Sequence, residues 1–178
     1  HAPMTLAALG YGKHVLCEKP PARNAAEAEQ MAEAAKRAGT VLLYGMNFRF
    51  RADAQMLRGY MERRDLGTIF YAKTGWLLRK TETRRSSWYR NKRSAGGGVL
   101  IDMGAQMLDL ALWFLGYPKV VSATATKYVS DPSDDVEDTV AAFLILESGA
   151  SLTLEVSWAL LFEKNFPYLN LFGTHGAA

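Results

Sequence analysis

The stretch from His14 to Met46 leaves little choice of local fold. A short apolar run, His14 to Cys17, is stopped by Glu18-Lys19-Pro20-Pro21, because paired prolines can continue neither a strand nor a helix. Asn24 then supplies a helix N-cap, Glu27 follows three residues later to complete a capping box, and Gly39 closes the helix. Within it Ala28, Met31, Ala32, Ala35 and Ala38 fall on one side. Glu27, Gln30, Glu33, Lys36 and Arg37 fall largely on the other, the pattern of a helix that covers a sheet. Thr40 to Met46 reads as a buried strand. Strand, helix and strand in such quick succession make a βαβ unit with parallel strands and a right-handed crossover. The unit is expected to be half of a doubly wound α/β domain. The residues before it already read as a helix, with Met4, Leu6, Ala8 and Leu9 and no strand ahead of them. The last residues, LFGTHGAA, stop after an expected strand and turn. On this reading the sequence is a portion of a longer protein.

From about Asn47 the grammar changes. Phe50 to Arg64 predicts a helix, Thr68 to Trp76 a strand, Arg79 to Arg93 a basic loop, and the segment after Gly96-Gly97-Gly98 a helix to Leu115. Four strands follow without helices between them: Val120 to Tyr128, Thr139 to Leu146, Ala150 to Trp158 and Tyr168 to Phe172. In the third, Leu152, Leu154, Val156 and Trp158 alternate with Ser151, Thr153, Glu155 and Ser157, which gives one dry face and one wet face. Glu147-Ser148-Gly149 supplies its hairpin turn. The expectation is a second, α+β domain with a mainly antiparallel sheet, residues 48–178, after an α/β part at residues 1–47.

Composition limits the classes of function. With 49% apolar and 22% charged residues among 178, the chain has the balance of an ordinary globular protein. No run approaches the roughly 20 apolar residues of a membrane span, and the N-terminus lacks signal-peptide architecture. A cytoplasmic protein with no membrane partner is expected. Cys17 stands alone, and His1, His14 and His175 offer no ligand spacing, so neither a disulfide within the chain nor a metal is expected. The net charge of +3 is local: Arg79, Lys80, Arg84, Arg85, Arg90, Lys92 and Arg93 face one acid, Glu82. A nucleic-acid surface would spread its cations over a face, and none is expected. A solvated loop, or a loop that receives an anionic or hydroxyl-rich ligand, both remain open.

Two constellations can carry chemistry. Glu18-Lys19 follows the first strand, and ligands of open α/β sheets bind outside the carboxyl ends of the strands. A lysine there can give a proton to a carbonyl or help take one from a hydroxyl; spacing alone fits an exposed loop lysine equally well. Cys17 reads as a small buried apolar residue. The second is residues 96–116, whose only ionisable groups are Asp102 and Asp109. Asp102, Gln106, Asp109 and Trp113 fall on one helical stripe, and a helix apolar on nearly all sides is buried, so its carboxylates need partners. One end of the stripe is expected to meet a polar site or Lys19, while Asp109 can be structural, bonded to backbone or to Trp88. The glycine run is weak evidence for phosphate binding. G-x-G-x-x-G is absent from the sequence.

In order along the chain, GKHVLCEKP, NFRF, W-x-R, SAGGGVLIDMGAQMLDLALWFLG and VEDTVAAFLILESGASLTLEVSW resemble the glucose-fructose oxidoreductase, inositol dehydrogenase and MocA family. The resemblance implies the C-terminal half of a Rossmann domain that binds NAD or NADP, followed by an α+β domain with an open sheet that serves substrate cover and homo-oligomer contacts. It implies a sugar or polyol as the substrate. Lys19 matches the lysine of the EKP signal, near nicotinamide and substrate, with Glu18 and Pro20 shaping the cofactor edge. Asp102 matches the acidic residue near the reacting carbon. Gln106 departs from the pattern, since active members usually carry a histidine there, and an amide cannot exchange its charge near neutral pH. Trp88 and Arg90, and Asn47 with Arg49, match positions lining the same cleft; Arg49 also reads as a surface ion pair. What the resemblance implies is hydride transfer at a secondary hydroxyl or its carbonyl. The rival it leaves is a family member that binds nucleotide or sugar without turnover.

Overall fold

The computed structural model describes residues 1–80, 87–161 and 163–178, so residues 81–86 of the basic stretch lie outside it. Helix α1 (Ala2–Gly10) opens with a proline in its first turn, where the missing N–H costs nothing. Strand β1 (Val15–Cys17), helix α2 (Ala25–Ala38) and strand β2 (Leu42–Tyr44) then form the βαβ unit, with β1 and β2 parallel and Cys17 opposite Tyr44. Cys17 and Met31 are buried at its centre together with Ala2 of α1. At the start of α2 the Glu27 amide donates to Asn24 Oδ1 at 2.9 Å, as the capping pattern requires. The return arm differs from the expected box. Glu27 accepts from the Arg23 amide at 3.0 Å, one residue before the cap, because the Arg23 guanidinium binds the same carboxylate.

The helix expected from Phe50 is divided. A 3₁₀ turn (Asn47–Phe50) precedes helix α3 (Ala52–Glu62), with Arg51 extended between them. Asp53 explains the break, since its carboxylate accepts from the Ala54 amide and pairs with Arg51, making a local alternative to helical bonding. Strand β3 (Ile69–Arg79) runs beyond the expected end at Trp76 because it has partners on both edges. After one helical turn, α4 (Lys92–Ala95), the chain passes Gly96-Gly97-Gly98, makes a π turn (Leu100–Gly104) and continues as α5 (Ala105–Leu115).

Strands β4 (Val120–Tyr128), β5 (Thr139–Leu146), β6 (Ser151–Leu160) and β7 (Phe166–Gly173) complete a five-stranded sheet in the order β4-β5-β6-β3-β7. Every pairing is antiparallel except β3 with β6. The π turn and α5 cover one face. Val99, Met103 and Met107 pack with Val140, Leu154 and Val156, while Leu110, Ala111 and Phe114 pack with Ala72, Leu144, Leu152 and Leu171. Each such buried Val, Leu, Met or Phe side chain contributes roughly 1.5–3 kcal/mol. The segment Lys92–Leu115 holds, contrary to the sequence reading, an 18-residue window of mean hydropathy 1.4, apolar and long enough by composition to cross a membrane, and over half of that window is buried in this core.

The dry face of β6 is as expected at Leu152, Leu154 and Val156, whereas Ser157 is fully buried and shares a 2.7 Å hydrogen bond with Thr139. A register shift between Leu77 and Arg79 of the neighbouring β3 ends the simple alternation there. The other face of the sheet is open. Among the described residues β4 is exposed along its whole length, and Phe143 and Phe166 are each about half exposed.

Candidate active site

The site begins where β1 ends. Cys17 is buried, with its sulfur turned to the carbonyls of Glu18 and Pro21, as expected of a packed thiol. The Glu18 carboxylate accepts from the Lys19 amide at 3.1 Å and lies over Gly45, just past β2, where a Cβ would meet it at 3.2 Å. The Lys19–Pro20 peptide is cis. From this turn the Lys19 side chain crosses to the π turn. Its Nζ lies 3.2 Å from Asp102 Oδ1 and 3.3 Å from the Asp102 carbonyl oxygen. The Asp102 side chain is only 9% exposed, against 28% for Lys19, so the pair is approachable from the lysine side. Gln106 is buried and donates Nε2 to the same Asp102 carbonyl at 3.4 Å.

Lys19, Asp102 and Gln106 therefore meet, although Lys19 belongs to the βαβ unit and the other two to the helix over the large sheet. The π turn makes this possible. The Ala105 amide bonds to the Leu100 carbonyl, five residues back, and this wide turn displaces Asp102 from the register of α5. The single stripe expected from Asp102 to Trp113 thus does not persist. Asp109 is turned instead to Arg49, which grips it through Nε (2.8 Å) and Nη2, and to the Tyr117 hydroxyl at 3.1 Å. That replaces the expected bond of Asp109 to backbone or to Trp88. Burial and the Asp109 charge hold the Tyr117 phenol above its ordinary range.

The remaining sequence candidates have other surroundings. Asn47 is exposed at the start of the 3₁₀ turn, and its amide donates to Gly45 O at 2.9 Å. Trp88 is half exposed, with its ring against Tyr89 at 4.1 Å. Arg90 binds Asp131 and Ser133, each at 2.8 Å, and also Asp134, which pins the loop between β4 and β5. Asp131 is held below the usual carboxylate range, chiefly by its bonds from Ser133, with Arg90 adding to the effect.

The glycine run does not cradle an external phosphate. The Gly98 and Leu100 amides are taken by Glu137 Oε1 at 3.0 and 3.1 Å, and the Val99 amide by the Glu137 carbonyl at 2.9 Å. Gly98 has to be glycine, since a Cβ would lie 1.8 Å from that carbonyl. Sequence reasoning missed Glu137 and Tyr117. The sequence signals the need for such a residue without naming it: a buried helix without a Ser, Thr, Asp or Asn cap needs an acceptor from elsewhere.

Comparison with known proteins agrees with this architecture. Residues 54–178 match the GFO/IDH/MocA C-terminal domain, and residues 1–46 match an oxidoreductase family with an NAD-binding Rossmann fold. D-glucoside 3-dehydrogenase of Escherichia coli K12 is 37% identical over 174 residues, covering 90% of this chain and 49% of that protein. The structure of GenD2 from gentamicin A biosynthesis in complex with NAD superposes with a TM-score of 0.90 at 30% identity, over 99% of this chain and 50% of that one. Levoglucosan dehydrogenase in complex with NADH and levoglucosan gives 0.92 at 27% identity, over 99% of this chain and 50% of that one. The chain thus spans about half the length of the relatives it matches. By its matched domains and its fold, the chain belongs to the GFO/IDH/MocA family of oxidoreductases.

Proposed function

We propose that the protein carrying this chain transfers a hydride between NAD or NADP and a secondary hydroxyl, or the corresponding carbonyl, of a sugar, polyol or sugar derivative. The observation that carries this reading is the Lys19–Asp102 pair at the carboxyl end of a parallel strand, within reach of Gln106. The residues present suit the reactive end of a nicotinamide dinucleotide. Glu18, Lys19 and Pro20 line the strand end outside which such ligands bind, Gly45 keeps the neighbouring strand end free of a side chain, and Trp88 and Arg90 are assigned to the same edge. Neither a pyrophosphate-binding glycine loop nor a free glycine amide at Gly98 is needed from this chain for that part.

When bound, the nicotinamide supplies the hydride chemistry. Lys19 Nζ holds or delivers the proton at the substrate oxygen, and Asp102 fixes the ammonium in place. Gln106 orients a hydroxyl through its amide, since it cannot itself trade a proton near neutral pH. Asn47 is assigned to the substrate, with Arg49 shaping the turn on which it sits. The division at residues 47/48 separates the cofactor part from the substrate part, and the open sheet face, with Phe143 and Phe166 exposed, is assigned to a second copy of the chain. A cytoplasmic location fits such an enzyme.

The test is NAD(P)H absorbance over a panel of sugars and polyols, with the full-length protein and its Lys19→Ala variant side by side. Turnover that collapses in the variant supports the reading. Gln106 motivates a second reading, a binding protein without turnover, which saturable nucleotide binding and no reaction across the panel would favour.

A further inference from the structure

We infer that Glu137 is a positioning residue that clamps the π turn carrying Asp102 and so sets the approach of Asp102 to Lys19. The inference rests on the hydride-transfer reading above. It starts from the helix over the sheet, whose N-terminal side has no side-chain cap of its own. Its first amides need acceptors, and three successive ones are bound by a single residue far along the chain: Gly98 and Leu100 by the Glu137 carboxylate, Val99 by the Glu137 carbonyl. The carboxylate also stands at the positive end of that helix.

The clamp connects to Asp102 through one residue, Gly98. The Gly98 amide is held by Glu137, and the Gly98 carbonyl accepts from the Asp102 amide at 3.2 Å. On its other side the same glycine run is tied to the turn that carries Lys19. A Cβ on Gly96 would lie 2.6 Å from the Arg23 carbonyl, and Arg23 Nη1 donates to the Arg93 carbonyl at 3.0 Å. Lys19, Arg23, Gly96, Gly98 and Asp102 form a closed ring of contacts, with Glu137 as its anchor on the sheet, two residues before β5. Glu137 acts through the backbone it holds. Loosening that backbone lets Asp102 drift from Lys19, and misplacement by about 1 Å can cost on the order of 100-fold in rate.

The experiment compares Glu137→Ala and Glu137→Gln with wild type in the full-length protein. It reads kcat per bound NAD(P)H, the nucleotide Kd, and hydrogen exchange across residues 96–102. In Glu137→Ala, kcat per bound nucleotide is expected to fall about 10- to 100-fold, with Kd unchanged and exchange at Gly98 and Leu100 accelerated. Glu137→Gln keeps an acceptor oxygen and should stay within about threefold of wild type, a neutral acceptor replacing a charged one. If the alanine variant fails to fold, Glu137→Asp takes its place, with its arm one methylene shorter and the same signs expected. Unchanged kcat per bound nucleotide, or unchanged exchange at the two amides, overturns the inference. A wild type that binds nucleotide and turns nothing over defeats the hydride-transfer reading instead, while the exchange comparison still reports on the clamp.

Discussion

Lys19 Nζ lies 3.2 Å from Asp102 Oδ1, a contact that joins the βαβ unit to the helix over the large sheet. On the proposed function, both chemistry and stability are expected to depend on it. Lys19→Ala is expected to lower kcat by about 10²- to 10⁴-fold, the contribution of a positioned proton-transfer group. It also removes the lysine partner of a carboxylate that is only 9% exposed, at a cost of about 1–3 kcal/mol. Steady-state kinetics and urea denaturation measure the two effects separately, and a variant that loses stability but keeps its rate removes Lys19 from the proton path.

Gln106 lies beside the Asp102 carbonyl in a buried setting, so its substitution should separate orientation from proton transfer. Gln106→His introduces a group that titrates near pH 6.5. The expected outcome is a new limb near neutrality in the pH profile of kcat, absent from wild type. Profiles that superimpose would mean that position 106 does not reach the reacting oxygen.

The Arg49–Asp109–Tyr117 cluster makes a different prediction. Asp109→Asn weakens charge-assisted bonds in a partly buried site and should cost about 1–3 kcal/mol of stability. Substrate KM is expected to stay unchanged. Thermal denaturation with kinetics on the folded fraction checks this, and a raised KM at unchanged stability would assign Arg49 to the substrate directly.

Tyr168 is expected to give the protein an alkaline sensitivity. Its hydroxyl donates to Glu155 Oε2 at 2.5 Å, and burial first, then Glu155, push the phenol far above its ordinary range. The folded state therefore holds this proton more tightly than the unfolded chain does. Stability from this source is complete below the ordinary tyrosine value of about 10 and declines as pH climbs toward the folded value. Urea midpoints at about pH 8 and about pH 11 should diverge in wild type and much less in Tyr168→Phe; equal divergence would acquit Tyr168.

Much of this is legible in the sequence alone. The βαβ unit followed from the Asn24 cap, the Gly39 stop and the amphipathic helix between them, all of which act locally. The four later strands and their hairpin followed from period-two alternation and from Gly149, which takes a positive φ of 84°. The Lys19–Asp102 meeting was half legible. Placement at a strand end singled out the lysine, and apolar surroundings singled out the aspartate, but a uniform helical period cannot show the π turn that separates Asp102 from Asp109. Glu137 was missed because its role is to complete backbone bonding elsewhere, and no local pattern marks a side chain that caps a distant helix. Ser157 broke the expected alternation for a similar reason, since the register shift belongs to the neighbouring strand.

The parallel pairing of β3 with β6 has a consequence in time. β3 leaves the ribosome well before either neighbour exists, as Tyr71 must wait for Ser151 on one edge and for Phe172 on the other. β5 and β6 can zip through their short hairpin first, and only then does the sheet close on β3. Until that docking, two bare strand edges persist in the nascent chain, which makes them its natural points for chaperone capture or for mistaken pairing with another chain.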